Sequence, residues 1–537
     1  MRTKFTVKPR HHVTAAMLCT LLAALLVLTA CSTVTTGDES TSTPVGQIVP
    51  SRLAIVHTGA LQGSFEPDDG RLGLASVVGR AHQLERDGYD VLLLDSGDTL
   101  MGTDDLTDGE DAVGLLNAAG YDALALGPTE LALGARTFAT RSSQSDFALI
   151  SANATSEDND LVTSAYTIAT LSDGRLVGVF GLSAPTPAAT RNLPYAGSVA
   201  QGDDAIIACA QDQVAALRKE GCRLVVCLAN LGISDLAPTA DQLASSVSGI
   251  DVVLDVSGLS FGRVAQTDAS GEQTLVVTTP AGLKGASVVF WEQGTLSAET
   301  LDGTQATASD EQIEALLNQA EQERQEWFGA SIASSPVRRA HQIARKREAI
   351  LGDLVADAAL WEGRRAGVRV KPDAALIDAG ALAAPLPAGK LTRADVFAIC
   401  PHADTRLFAM QVSGAHLRDA LEDALALGTS EEFPQVAGIE LTWRKVKGKR
   451  EARVEVASVG GRPFSADERY LIVATAHVAA GEGAYASLAP EEVTDLDASA
   501  GKALVDYLIR ACHGSIDAPY DATQGRITRE SAQGKAS

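Results

Sequence analysis

The chain predicts an α/β protein built as two layered domains joined by a helix, and three observations carry that reading. Between Leu53 and about Thr300, short runs of Leu and β-branched residues recur between helical or loop segments: LAIVH (53–57), VLLLD (91–95), FALIS (147–151), LVGVFGL (176–182), LVVCLA (224–229), DVVLD (251–255) and TLVVT (274–278). Continuous apolar runs that end in turn residues are the pattern of strands buried on both faces. Next, Ile313, Leu316, Leu317 and Ala320 line one face of a helix at i, i+3, i+4, i+7, with Glu and Gln opposite. Beyond about Arg345 a second set of helical and strand patterns begins. A chain of 537 residues is long enough for such cores, and 45% hydrophobic with 21% charged residues is an ordinary globular composition.

In chain order, residues 1–30 read as a targeting segment. Arg2, Lys4, Lys8 and Arg10 precede a nearly apolar run from Val13 to Ala30, and Leu28-Thr29-Ala30-Cys31 follows. Such a run could span a membrane, but the ending matches a lipoprotein signal, with cleavage before Cys31 and lipid attachment to it. Residues 31–50 are Ser/Thr-rich and suit a flexible tether. These features place the protein at the outer face of a bacterial cell membrane, held by its lipid.

The first domain is expected over 51–305. The joining helix is expected over 309–329, with Ser309 and Gln312 in a capping-box pattern. The second domain is expected over 335–530. There Leu354, Ala358 and Trp361 share one helix face, and Leu417, Ala420, Leu421 and Ala424 share another. AALID (374–378), IELTW, ARVEVASV and YLIVAT read as strands.

The net charge is −24, and the first thirty residues carry cations but no anions, so the remainder is more acidic still. That surface excludes nucleic acid as a main partner. Five cysteines follow Cys31, at 209, 222, 227, 400 and 512, in no metal-finger spacing. Cys222 and Cys227 are close enough in sequence for a disulfide, although Cys227 lies in an apolar run that suits a buried thiol.

Three blocks carry a family resemblance: LAIVHTGALQGSF (53–65), VLLLDSGDTLMGT (91–103) and GYDALALGPTELALG (120–134). In order and spacing they resemble the bacterial 5′-nucleotidase / UDP-sugar hydrolase family. REAILGDLVADA, LPAGKLTRADVF, FAMQVSGAHLRDALEDAL, EEFPQVAGIELTW and YLIVATAHVAAGEGAY resemble its C-terminal domain. The resemblance implies a four-layer α/β/β/α metallophosphoesterase-like sandwich, a linker helix and an α/β 5′-nucleotidase C-terminal domain. It also implies two divalent metal ions as cofactors, held by Asp, His and Asn, that would polarise a phosphoryl oxygen and supply a hydroxide.

The metal-binding residues are largely missing. The family's first block reads His-Thr-Asn-Asp-x-His-Gly; here Ala60 stands at the Asp position and Gln62 at the second His. Asp98, in DSGD, keeps the bridging Asp. The Gly-Asn-His-Glu block has become Gly127-Pro128-Thr129-Glu130. Asn230 follows LVVCLA where Ser-His-x-Gly would put a His, and Ser257 and Leu259 stand where Gly-His-x-His would put two. Asp98 is therefore a vestigial single ligand, free to cap a turn or helix, and the expected cofactor content is none. His57 reads as the family's structural His. His82 and the loop aspartates Asp68, Asp69, Asp104 and Asp105 read as solvated neighbours.

On the substrate side, Arg345 falls on a phosphate-arginine position, or pairs with a Glu near a helix start. Asn-x-Gly-x-Ile-Arg has become Asp378-Ala379-Gly380-Ala381-Leu382-Ala383, and Pro-Phe-Gly-Asn has become Pro401-His402-Ala403-Asp404. Losing a guanidinium removes a bidentate phosphate grip, and two carboxylates add like charge. Phe433 and Tyr485 occupy the two base-stacking positions, and either clamp a ligand or pack in the core. The candidate ligand residues are thus Phe433, Tyr485, Arg345, Asp378 and Asp404. The expected function is a surface lipoprotein that has lost dimetal phosphohydrolase activity and binds a nucleoside-like or other small ligand, or an unidentified protein partner. The alternatives are an active 5′-nucleotidase-like metallophosphohydrolase of extracellular nucleotides and a structural surface protein.

Overall fold

The computed structural model describes residues 52–530, apart from residues 69, 102–108, 157–159, 187–192, 200–201, 232–236, 259–260, 303–308, 368–369, 402–404 and 517–519. The targeting segment, Cys31 and the tether lie outside the described residues.

The first half contains two six-stranded sheets. One includes Arg52–Thr58, Tyr89–Asp95, Ala123–Ala125 and Ala148–Ile150 in parallel register, with the hairpin Gly285–Glu292 and Thr295–Asp302 on its other side. The second is ordered Tyr166–Thr170, Leu176–Ser183, Leu224–Asn230, Val252–Gly258, Gln273–Pro280 and Gly262–Thr267.

Side-chain alternation sorts each strand between two faces. Leu53, Ile55, Leu92 and Leu94 of the first sheet share a core with Val177, Val179, Leu224, Leu228 and Leu254 of the second, so the sheets pack face to face. Ala54, Val56 and Leu93 point the other way, onto helices Leu74–Arg86, Glu110–Ala119 and Glu311–Gly329. Val225, Cys227 and Val253 cover helices Asp203–Lys219 and Ala240–Ser246. The order helix, sheet, sheet, helix is the four-layer α/β/β/α sandwich. Each fully buried Leu or Val in it contributes about 1.5–3 kcal/mol.

The joining helix runs Glu311–Gly329 and buries Ile313 and Leu317. Its cap is Asp310 rather than the expected Ser309: the Asp310 carboxylate accepts from the Gln312 and Ile313 amides at 3.1 and 3.0 Å. A charged acceptor at a helix N-terminus gains from the dipole as well as from the hydrogen bonds. His82 meets the other Asp310 oxygen through Nδ1 at 3.0 Å, so its partner is this cap.

The second half is a mixed five-stranded sheet ordered Pro434–Ala437, Ala374–Asp378, Arg469–Thr475, Arg406–Ser413 and Glu492–Ser499. Helices Ile350–Gly363, Gly414–Leu427 and Ala500–Arg510 share its core. A four-stranded sheet beside it ends on Ile527–Arg529, paired parallel with Ile439–Lys445. Leu193 from the first half enters this second core, and Tyr195 meets Phe408 edge-on at 6.2 Å. The five cysteines are free thiols, so Cys222 and Cys227 are not bridged.

Candidate functional site

The resembled metal positions do converge. They lie just past, or at, the carboxyl ends of Arg52–Thr58, Tyr89–Asp95, Ala123–Ala125, Leu224–Asn230 and Val252–Gly258, where open α/β sheets form their crevice. The backbone there is unusual. Ala60, Gln62 and Asp98 have φ of 49°, 47° and 55°, three of eight positive-φ non-glycine residues among those described. Left-handed residues without glycine's freedom cost energy and cluster at functional sites. Ala60 N donates to Gly97 O at 2.7 Å and Gln62 N to Asp98 O at 3.0 Å, which ties the two strained loops together.

Asp98 is held by protein groups. Its Oδ1 accepts from the Thr129 amide at 2.9 Å, in the first turn of Pro128–Leu131. Its Oδ2 accepts from Asn230 Nδ2 at 3.1 Å, and the same amide nitrogen donates to Ser96 O at 2.9 Å. A Cβ on Gly127 would lie 2.6 Å from Asp98 Oδ1 and 2.7 Å from Asn230 Nδ2, so three chain segments close on this point.

Glu130 is fully buried beneath it. It accepts from the amides of Gly127, Asp98, Thr99 and Leu100 at 2.8–2.9 Å. Asp95, also buried, accepts from the hydroxyls of Thr58 and Thr99 and the Gly97 amide, and burial pushes its carboxyl up to about 6. His57 bridges Thr279 Oγ1 at 2.7 Å and Ser96 Oγ at 2.8 Å, and burial lowers its imidazole to about 3, so it is neutral at neutral pH.

Two divalent ions do not fit this residue set. A cation needs lone pairs; Ala60 and Pro128 supply none from their side chains, and Asn230 turns its N–H toward Asp98. Val256 replaces the glycine of the fifth motif, and its Cγ2 lies 2.9 Å from where a Cβ on Gly59 would be, filling space at the rim. Among the described residues no three His, Cys, Asp or Glu side chains gather as a metal set. Leu259 lies outside the described residues, as do Asp69, Asp104 and Asp105; Asp68 pairs with Arg71.

In the second half, a cavity of about 1130 Å³ opens where Ala374–Asp378 and Arg469–Thr475 end side by side. Asp378, Glu431, Glu432 and His477 lie on its wall, with Lys445 and Lys449 across from the neighbouring sheet. Asp378 is buried and accepts from Thr475 Oγ1 at 2.6 Å, and burial raises its carboxyl. Arg345 pairs with Glu431 at 2.9 Å. Asp404 lies outside the described residues.

Of the two placements open to Phe433 and Tyr485, the core is the one observed. Phe433 and Tyr485 are both 0% exposed. Phe433 packs edge-on against Trp443 at 6.3 Å, and Tyr485 donates its hydroxyl to Glu432 O at 2.8 Å. Both rings belong to the apolar core of the second half, so neither offers a face to a ligand in this conformation.

Sequence reasoning passed over Glu432 and His477. His477 Nδ1 meets Glu482 Oε2 at 3.0 Å, and Glu432 accepts from the Ala484 amide at 2.9 Å. A Cβ on Gly483 would run into Glu432 Oε1. The Glu beside Phe433 and the His after YLIVAT were the available signals.

Comparison with known proteins agrees with the architecture. A family model for the 5′-nucleotidase C-terminal domain matches residues 302–490. The trifunctional nucleotide phosphoesterase YfkN of Bacillus subtilis is 25% identical over 58% of this chain, which spans 22% of that relative's length. The 5′-nucleotidase of Diplobatis ommata is 24% identical over 90% of this chain and 91% of its own. The NAD nucleotidase of Haemophilus influenzae superposes with a TM-score of 0.51 at 17% identity, over 89% of this chain and 99% of that one, a likeness of fold. The C-terminal domain matched over residues 302–490, with a four-layer sandwich ahead of it, supports placing the chain with the 5′-nucleotidase family.

Proposed function

We propose that this chain is an exported, lipid-anchored member of the family that no longer hydrolyses phosphoesters through a dimetal centre and instead binds a nucleoside-like small ligand. The observation that carries the reading is the closed set Thr129–Asp98–Asn230. Both Asp98 oxygens are engaged by N–H donors where a bridging carboxylate would face metal ions. Export and anchoring rest on the segment ending at Cys31. Among the described residues no helix is long and apolar enough to cross a membrane.

The cavity beside Asp378 supports the ligand class. Its inner wall offers carboxylate acceptors, which suit ribose hydroxyls and exocyclic amines. Ala383 stands in place of the family's phosphate-gripping arginine, and Arg345 is already paired. A phosphate there would face Asp378, Glu431 and Glu432 on one wall, with Lys445, Lys449 and Arg450 on the other. The buried rings leave polar contacts, rather than stacking, to select the ligand.

The test is twofold. Purified protein given 5′-AMP or UDP-glucose with manganese should release no phosphate above a chelator-treated control. Nucleosides should raise its melting temperature more than the matching nucleotides do, since a ligand specific to the native state stabilises it. Chelator-sensitive turnover contradicts the loss of hydrolysis and favours the active phosphohydrolase. Absence of any nucleoside shift contradicts the binding role.

A further inference from the structure

A cluster outside both sites contains more buried negative charge than the one cation facing it can balance. Glu348 stands just before helix Ile350–Gly363, and Asp353 and Asp357 lie on it; Glu348 and Asp353 are 6% and 1% exposed. The facing groups are Arg526 and Tyr520 from the C-terminal segment, Tyr507 from helix Ala500–Arg510, and Cys512. Arg526 Nη2 donates to both Asp357 oxygens at 2.8 and 2.9 Å, and Tyr520 donates to Asp357 at 2.8 Å. Asp357 therefore takes the cation. Glu348 and Asp353 are left with one oxygen each, Oε1 and Oδ1, that is buried and has no hydrogen-bond partner among the described residues. Arg526 Nη1 is 3.9 Å from Asp353 Oδ1 and is bonded to Val436 O at 2.8 Å instead.

The other two oxygens hold the end of the chain. Glu348 Oε2 accepts from the Ile527 amide at 3.0 Å, and Asp353 Oδ2 from the Gln524 amide at 3.2 Å. Ile527 begins the strand that pairs with Ile439–Lys445.

We propose that Asp353 keeps a proton on its unpartnered Oδ1 while the end of the chain is seated, and that this proton makes the clamp on residues 520–529 pH-sensitive. With Arg526 3.9 Å from Oδ1 and committed to Asp357 and the Val436 carbonyl, a neutral Asp353 costs less to bury beside Glu348 than a second carboxylate does. Burial first, and the Glu348 charge second, raise the Asp353 carboxyl toward neutrality, which agrees. When the segment lifts and water enters, the carboxyl returns to its ordinary range and releases the proton. The sign follows: a carboxyl raised in the closed state holds the clamp best in acid, and loses that hold as pH rises toward the closed-state value. The strand Pro434–Ala437 links the clamp to the cavity, because Arg526 holds Val436 O and residues 431 and 432 precede that strand.

The experiment is amide hydrogen exchange of residues 520–530 in the whole ectodomain, corrected for intrinsic exchange. Protection should fall by up to about tenfold per pH unit between about pH 5 and about pH 7 and then level off. In Asp353→Asn the side chain is neutral at every pH, so protection should be level across that range. If Asp353→Asn does not fold, Glu348→Gln should show a shallower slope than the parent. A parent protein with level protection, or variants that keep its slope, would overturn the proposal.

Discussion

Replacing Asn230 with Ala probes the point where a metal-binding corner has become a hydrogen-bonded one. Asn230 is buried at 5% exposure, and its Nδ2 makes two bonds, to Ser96 O at 2.9 Å and to Asp98 Oδ2 at 3.1 Å. The first is a neutral bond worth about 0.5–1.5 kcal/mol and the second, to a charged acceptor, about 1.5–3 kcal/mol. Asp98 is half-buried, so solvent recovers part of the second term, and the expected loss is about 2–3 kcal/mol. Equilibrium urea denaturation of the ectodomain, in chelator, measures it. A double-mutant cycle with Asp98→Ala isolates the pair, because strain at the positive-φ Asp98 position cancels in the cycle. Coupling of at least about 1 kcal/mol is expected for residues in one hydrogen-bond network. Coupling below about 0.3 kcal/mol, the level of independent sites, would refute the view that Asn230 holds Asp98.

Other consequences follow from single contacts. His57, depressed by burial to about 3 from an unfolded value near 6.5, contributes stability that is whole above about pH 6.5 and is lost as pH falls toward 3, by up to about 5 kcal/mol. A pH series of denaturation midpoints should show that acid limb, and His57→Gln should flatten it. Gly483→Ala meets Glu432 Oε1 at a φ of 56° and should cost about 2–4 kcal/mol, with thermal unfolding and nucleoside binding both weakened. Gly127→Ala pushes a methyl between Asp98 and Asn230 and should destabilise by a similar amount, read by the same urea titration.

Much of the fold was legible because its strands are buried on both faces. VLLLD and LVVCLA leave no choice of period, and they appear as Tyr89–Asp95 and Leu224–Asn230. The hairpin Gly285–Glu292 and Thr295–Asp302 was not read. Its turn is Gln293-Gly294, at φ of 49° and 83°, and Gln is a weak signal where Asn or Asp would advertise a left-handed position. Ser309 and Asp310 are adjacent cap residues, and local pattern alone does not rank them.

The first site was legible as a set of losses, since each missing ligand sits in a recognisable frame. What replaced the ligands was not legible: Asn230 and Asp98 are 132 residues apart, and their contact exists only once both sheets are packed. The same reason hid the fate of Phe433 and Tyr485. A ring's position in a motif does not say which way it faces, and here core packing won both. The acid pair Glu348–Asp353 reads in sequence as two ordinary charges at a helix start. Only the C-terminal segment laid across it makes it unusual.

The most direct test of the central claim is elemental analysis of the purified ectodomain after exposure to manganese, zinc and calcium and removal of free ions. The Thr129–Asp98–Asn230 closure requires a stoichiometry near zero. About two ions per chain, the content of a working dimetal centre, would contradict it and return the protein to the hydrolases.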